Sequence, residues 1–198
     1  MSKPRIAVVV GSIRAGRFAD KPASWIADLA KARGDVEVEI VDLADYPLPL
    51  FAEARSPLWA ESENEIARKW QAKLGEFDGY IFTAAEYNHA PTGVLKNALD
   101  YAGREWVRKP AGFVGYGGVG GARAVEHLRL IAVELQMAPV KAGVHIAWAD
   151  MVAANEGKNL GEFDHLNQAG KALLDDVVWW GKVLKTARAA DEAQAQAA

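Results

Sequence analysis

Apolar residues gather into five short runs along the chain, at 6–10, 36–41, 80–84, 112–116 and 140–146. The first, third and fourth are nearly continuous, the pattern of strands buried on both faces. In the second, Val36, Val38 and Ile40 alternate with Glu37 and Glu39, which predicts an edge strand with one wetter face. Between the runs lie stretches of helical length, at 19–33, 61–75, 92–103, 121–137 and 163–187. Ala23, Ile26, Ala27 and Ala30 recur at helical spacing, as do Val125, Leu128, Ala132 and Leu135, so each set predicts one face packed on a sheet. Strict alternation of strand and helix requires crossover connections between parallel strands. Five such units predict an α/β fold, a doubly wound five-stranded parallel sheet in the order 2-1-3-4-5 with helices on both faces.

Two stretches break the alternation. Pro47, Pro49 and Pro57 predict an extended loop over 46–59, because proline removes amide donors and biases its neighbours away from helix. The end of the chain is rich in Ala, Gln and charge and has no large apolar side chain. Residues 1–188 therefore read as one domain and 189–198 as a frayed or disordered tail. At 198 residues, about half of them apolar, the chain suits a single core-forming domain. A net charge of -3 without clustered cations predicts neither a nucleic-acid nor a membrane partner. There is no cysteine for disulfides, thiolate chemistry or metal ligation. The run after Met1-Ser2-Lys3-Pro4 is too short for a signal peptide, which leaves a cytoplasmic location as the expectation.

Three loops carry candidate chemistry. The first, Gly11-Ser12-Ile13-Arg14-Ala15-Gly16-Arg17, follows a strand and precedes a helix. Amides at a helix N-terminus, a serine hydroxyl and guanidinium groups there suit an anion, although a polar surface turn is the alternative. It is not an ATP-binding loop of the Walker type, since Arg17-Phe18 stands where Lys and then Ser or Thr would be required. The second, Glu86-Tyr87-Asn88-His89-Ala90-Pro91, offers a ring for stacking and an amide for a heterocycle edge, with Pro91 predicted to open a helix; a capped loop is the alternative. The third, Gly115-Tyr116-Gly117-Gly118-Val119-Gly120, matches G-x-G-x-x-G. It follows the fourth strand rather than the first, and no acidic residue stands at the end of the next strand to bind a ribose. A tightly held NAD is thereby disfavoured. Close approach of backbone to a flat ligand, or simply a tight turn, explains its glycines.

Other residues read as structural. His89, His127, His145 and His165 lack metal-ligand spacing, and no G-x-S-x-G supports a serine hydrolase. Trp179 and Trp180 are adjacent on the last helix and cannot both face its core, so one is a candidate for a subunit contact.

Taken in order, Gly11-Ser12-Ile13-Arg14, then Glu86-Tyr87-Asn88 with Pro91 and Leu95-Lys96-Asn97-Ala98-Leu99-Asp100, then Gly117-Gly118-Val119-Gly120-Gly121-Ala122-Arg123, resemble the NADPH-dependent FMN reductase family. That flavodoxin-like group includes quinone and chromate reductases. The resemblance implies non-covalent FMN, its phosphate held by Ser12 and Arg14 with Arg17 and Phe18 lining the site. It places the isoalloxazine against Glu86, Tyr87 and Asn88 and against Tyr116, Gly117 and Gly118. This chain has Arg17, Ala19 and Ala85 where many members carry Ser, Asn and Pro. The activity implied is hydride transfer from NADPH or NADH through FMN to a flavin, quinone, azo compound or metal oxyanion, in a homodimer or homotetramer. No side chain is required as a nucleophile. The alternatives are an electron carrier of the same fold without dedicated turnover and an FMN-free regulatory domain.

Overall fold

The structure, a computed structural model, describes residues 3–197, the side chain of Ala197 excepted, so the expectations for Met1, Ser2 and Ala198 fall outside the described residues. Among the described residues seven strands form: β1 (Arg5–Val10), β2 (Glu37–Asp42), β3 (Gly79–Tyr87), β4 (Ala90–Pro91), β5 (Pro110–Tyr116), β6 (Ala138–Pro139) and β7 (Val144–Ile146). Six α-helices accompany them in the same described residues: α1 (Asp20–Arg33), α2 (Glu65–Gly75), α3 (Gly93–Asp100), α4 (Ala122–Glu134), α5 (Trp148–Asn155) and α6 (Asp164–Ala197). The main sheet runs β2-β1-β3-β5 in parallel, with β2 at the edge as its alternating pattern predicts, so the doubly wound flavodoxin-like fold stands.

The near-continuous strands feed two cores because successive side chains leave a strand on opposite faces. From β1, Ile6, Val8 and Val10 enter one core with Ala23, Ile26, Ala27 and Ala30 of α1 and Leu173, Leu174 and Val177 of α6. Ala7 and Val9 enter the other, with Trp70 of α2, Leu95 of α3 and Leu128 of α4. The same division continues in β3, where Ile81 faces the first core and Tyr80 and Phe82 face the second. Three layers result, and the loops at the carboxyl ends of β1, β3 and β5 meet at one end of the sheet.

Four expectations need correction. The strand predicted at 140–146 is two short pieces: β6 pairs with the start of β5 and β7 with its end. Between them Val140 N–H still reaches β5, at the Ala111 carbonyl 2.9 Å away, while Arg129 donates to the Val140 and Lys141 carbonyls and Ala142 N–H donates to Asp176. The five-stranded count therefore becomes seven, with β6 and β7 sharing the fifth position and β4 pairing antiparallel on β3. Pro91 belongs to β4, and α3 begins after Thr92, whose hydroxyl accepts from Leu95 N at 3.1 Å as an N-cap. Finally, α5 is a helix that the sequence reading missed. Residues 189–197 continue α6, where Asp191 is paired with Arg108. Among the described residues no helix is long and apolar enough to cross a membrane.

Candidate functional site

Contact with β3 holds the loop after β1. Gly11 N–H donates to the Thr83 carbonyl at 3.2 Å, and a Cβ at residue 11 would lie 2.3 Å from that oxygen, so only glycine permits the approach. Thr92 donates to the Gly11 carbonyl at 2.5 Å while capping α3, which couples the first loop to the start of that helix. Ser12 is buried. Its hydroxyl is 3.1 Å from the Tyr87 hydroxyl and accepts weakly from Arg14 N at 3.4 Å.

The two arginines of this loop differ. Arg17 donates to the Ser12 carbonyl at 2.8 Å, to Asp20 at 2.9 Å, and through both terminal nitrogens to the Asp42 carboxylate at the end of β2. The hydrogen bonds it donates to Asp42 and Asp20 raise the guanidinium pKa still further. Burial pushes the Asp42 carboxyl up, but hydrogen bonds from Arg17 and Ala44 N–H outweigh it and hold the group below its usual value. Arg14 has no carboxylate partner among the described residues, and its guanidinium lies 5.9 Å from the centre of the Tyr87 ring.

β3 continues past the main sheet into a hairpin with β4. Asn88 and His89 form its turn with φ of 50° and 76°, the left-handed pair that closes a two-residue hairpin. Glu86, at the base of the hairpin, buries its carboxylate; the side chain is only 3 % exposed. It accepts from Arg123 N at 3.1 Å and from the Arg123 side chain at 2.5 Å. Burial raises the Glu86 pKa, yet these bonds at the start of α4 outweigh the penalty and leave it lowered.

The turn after β5 is fastened through backbone. Gly117 N–H donates to the Ile146 carbonyl at 3.4 Å, and His145 Nδ1 meets the Gly120 carbonyl at 3.0 Å, a contact that requires the proton on Nδ1. Gly121 has φ of 69°, and a Cβ there would lie 2.5 Å from Tyr116 N. At Gly118 a Cβ would meet nothing within 4 Å, so the turn leaves open space on one side. Beneath it Tyr116 packs against Phe18 with ring centres 5.4 Å apart. Among the described residues the buried Tyr116 hydroxyl has no hydrogen-bond partner of normal geometry, with Ser12 making only a weak contact to it, and burial raises its pKa.

These segments enclose a cleft of about 380 Å³, inside the usual range for cofactor sites. Eight of the ten predicted site residues line it: Arg14, Arg17, Phe18, Glu86, Tyr87, Tyr116, Gly117 and Gly118. Ser12 lies behind the wall, bonded to Tyr87, and Asn88 is on the exposed hairpin turn outside it. Trp148 and Met151 of α5 complete the lining and were not anticipated; nor were Asp42, Thr83 and Thr92, which fix the loops. Thr92 alone carried a local signal, a hydroxyl three residues before a buried leucine at a helix start.

The donor set fits a ligand with one flat aromatic end and one anionic end. Arg14 offers a cation with no carboxylate partner among the described residues, beside the Tyr87 ring. Further aromatic rings, the open space at Gly118 and the buried Tyr116 hydroxyl lie on the same cleft. FMN meets both requirements.

Comparison with known proteins agrees. The family model for NADPH-dependent FMN reductase matches residues 4–149. The chain is 34 % identical over 185 residues to the NAD(P)H-dependent FMN reductase ntnL of Nectria sp, covering 88 % of this chain and 92 % of that protein. It is 35 % identical over 140 residues to a 2-hydroxy-1,4-benzoquinone reductase of Burkholderia sp, covering 67 % and 72 % respectively. In fold it is similar to the flavoenzyme FerB, an NAD(P)H:(acceptor) oxidoreductase of Paracoccus denitrificans, with a TM-score of 0.67 at 24 % identity over 88 % of this chain and 97 % of that one.

Proposed function

The chain belongs to the NADPH-dependent FMN reductase family, and we propose that its cleft holds one FMN and serves NAD(P)H-dependent reduction of a small acceptor: a flavin, a quinone, an azo compound or a metal oxyanion. The observation that carries this reading is the convergence of the three motif loops on one cleft at the carboxyl ends of β1, β3 and β5. When bound, FMN supplies the redox chemistry, taking hydride from NADPH or NADH and passing it to the acceptor.

The chain's residues bind and orient. Arg14 is assigned to the phosphate as the one arginine of the cleft without a carboxylate partner among the described residues. Arg17 shapes the first loop by clamping it to Asp42 and Asp20, and it adds little net charge. Ser12 holds the Tyr87 hydroxyl, which orients that ring against the cleft. Tyr116, with a hydroxyl awaiting a partner, and the main chain of Gly117 and Gly118 are assigned to the ring. Glu86 acts through α4: its carboxylate secures Arg123 and thereby the turn that precedes it. A cytoplasmic location is proposed from the sequence pattern. A homodimer or homotetramer is supported by Trp179, Trp180 and Val183, all exposed on α6, where the two indoles meet edge to face at 5.1 Å.

The visible absorption spectrum tests the reading. Purified protein incubated with FMN should retain one flavin per chain after desalting, and the flavin band should bleach on anaerobic addition of NADPH or NADH. No uptake at saturating FMN, or selective retention of FAD, overturns the assignment. A retained FMN that neither nicotinamide bleaches would make the protein an electron carrier.

A further inference from the structure

The fourth wall of the cleft comes from α5, outside the three motif loops. Trp148 begins this helix and Met151 follows one turn later, so both project from the same face. The helix is firmly placed. Ala154 is buried in the core, Asp150 accepts from Ala147 N at 3.2 Å, and His165 of α6 reaches the same carboxylate oxygen at 3.3 Å. The bond from Gly117 N–H to the Ile146 carbonyl ties the strand leading into α5 to the glycine turn. Yet Trp148 is 62 % exposed, a large indole held at the cleft that the chain's own core does not cover.

We propose, resting on the reductase reading above, that Trp148 is a specificity-determining residue. With Met151 it forms an apolar wall against which a planar, electron-poor acceptor of the quinone class stacks. The chemistry of the wall narrows the ligand to a flat ring. Neither side chain is charged, so the wall has nothing to attract the phosphates of FMN or of a nicotinamide dinucleotide. An indole face is electron-rich and a thioether is polarizable, and both favour a flat electron-poor ring. The cations of the cleft, Arg14 and Arg17, are on the first loop, which divides the lining into an anion-binding part and an apolar part.

Two measurements on the FMN-loaded protein test this. The first is calorimetric binding of 1,4-naphthoquinone to the oxidised protein without nicotinamide, so that no turnover occurs. Trp148→Ala should weaken binding roughly five- to tenfold, the scale of one lost aromatic contact, and Trp148→Phe should restore most of it. The second is the ratio of KM for naphthoquinone to KM for ferricyanide, a compact acceptor with no ring to stack. That ratio should rise by a similar factor in Trp148→Ala and much less in Trp148→Phe. Equal changes for both acceptors, unchanged quinone binding, a matching loss of FMN affinity, or a change of oligomeric mass on light scattering would each overturn the proposal. The last two would assign Trp148 to the cofactor and to a subunit contact respectively. Failure of the wild-type protein to take up FMN would instead defeat the reductase reading, and apo-protein that still bound naphthoquinone through Trp148 would keep the wall.

Discussion

The loop after β1 and the turn after β5 face each other across the same cleft, but different forces hold them. Charge closes the first: the Arg17 guanidinium bridges Asp20, Asp42 and the Ser12 carbonyl, joining groups far apart in sequence. Backbone contact closes the second, where Gly121 is packed so tightly beneath Tyr116 and Gly115 that no Cβ fits. An electrostatic clamp responds to pH, although this loop also has one position, Gly11 against Thr83, that tolerates no added atom. A steric contact is itself indifferent to pH and intolerant of any added atom, and the charged anchor of this turn, Glu86 with Arg123, lies at its α4 end. The end of the cleft assigned to phosphate is therefore built to be tuned, and the end assigned to the ring to be rigid.

The largest effect should come from forcing an atom into the rigid side. Gly121→Ala combines a left-handed backbone with overlap against Tyr116 N, and together these should cost about 3–4 kcal/mol. Thermal unfolding should then occur roughly 6–16 °C lower. An unchanged Tm would mean that the turn shifts freely and that the contrast with the first loop is illusory.

Next in size is the loss of the free cation. Removing a charge-assisted phosphate contact costs about 1.5–3 kcal/mol, so Arg14→Ala should weaken FMN binding about ten- to a hundredfold. Riboflavin, which has no phosphate, should lose much less affinity, and the Tm of the FMN-free protein should hardly move because the side chain is exposed. Equal losses for the two flavins in fluorescence titrations would remove Arg14 from the phosphate site.

Arg17→Met probes the clamp itself and should destabilise the protein by about 1–2 kcal/mol at pH 7, since it leaves a partly buried Asp42 carboxylate without its cation. The Asp42 pKa is depressed in the folded state, so its pairing contributes stability that is complete above the unfolded value of about 4 and disappears as pH falls through the folded value. Urea unfolding of wild type and variant should show a constant gap between pH 7 and about pH 5 that narrows below about pH 4. A gap that persists in acid would show that packing, and not charge, holds the loop. The smallest effect is expected from Tyr116→Phe. Deleting an orphaned buried hydroxyl should raise the stability of FMN-free protein by up to about 1 kcal/mol. The extra stability conferred by saturating FMN should shrink if the cofactor supplies the missing partner.

Much of this arrangement was legible from residue order. The apolar runs located β1, β3 and β5, the Glu-interrupted run located the edge strand, and the turns that follow carried eight residues that do line one cleft. Those signals are local, because a strand buried on two faces or a turn requiring a left-handed residue imposes its demand on consecutive positions. What residue order does not show is non-local: the pairing of Arg17 with Asp42 on the neighbouring strand, and the 3.1 Å approach of the Ser12 and Tyr87 hydroxyls.

By itself, the sequence determined the parallel sheet, the order of its central strands, and which three loops gather where the crossovers leave an opening, since periodicity and chain connectivity admit few other arrangements. Tertiary structure alone decided which charges remain free. Whether a guanidinium meets a ligand or a carboxylate depends on what the adjacent strand carries at the same height. It also decided the fourth wall. Nothing near Trp148 in the chain refers to the cleft, and its indole comes to line it only because α5, packed through Ala154 and held at Asp150 by His165, directs that face of the helix there.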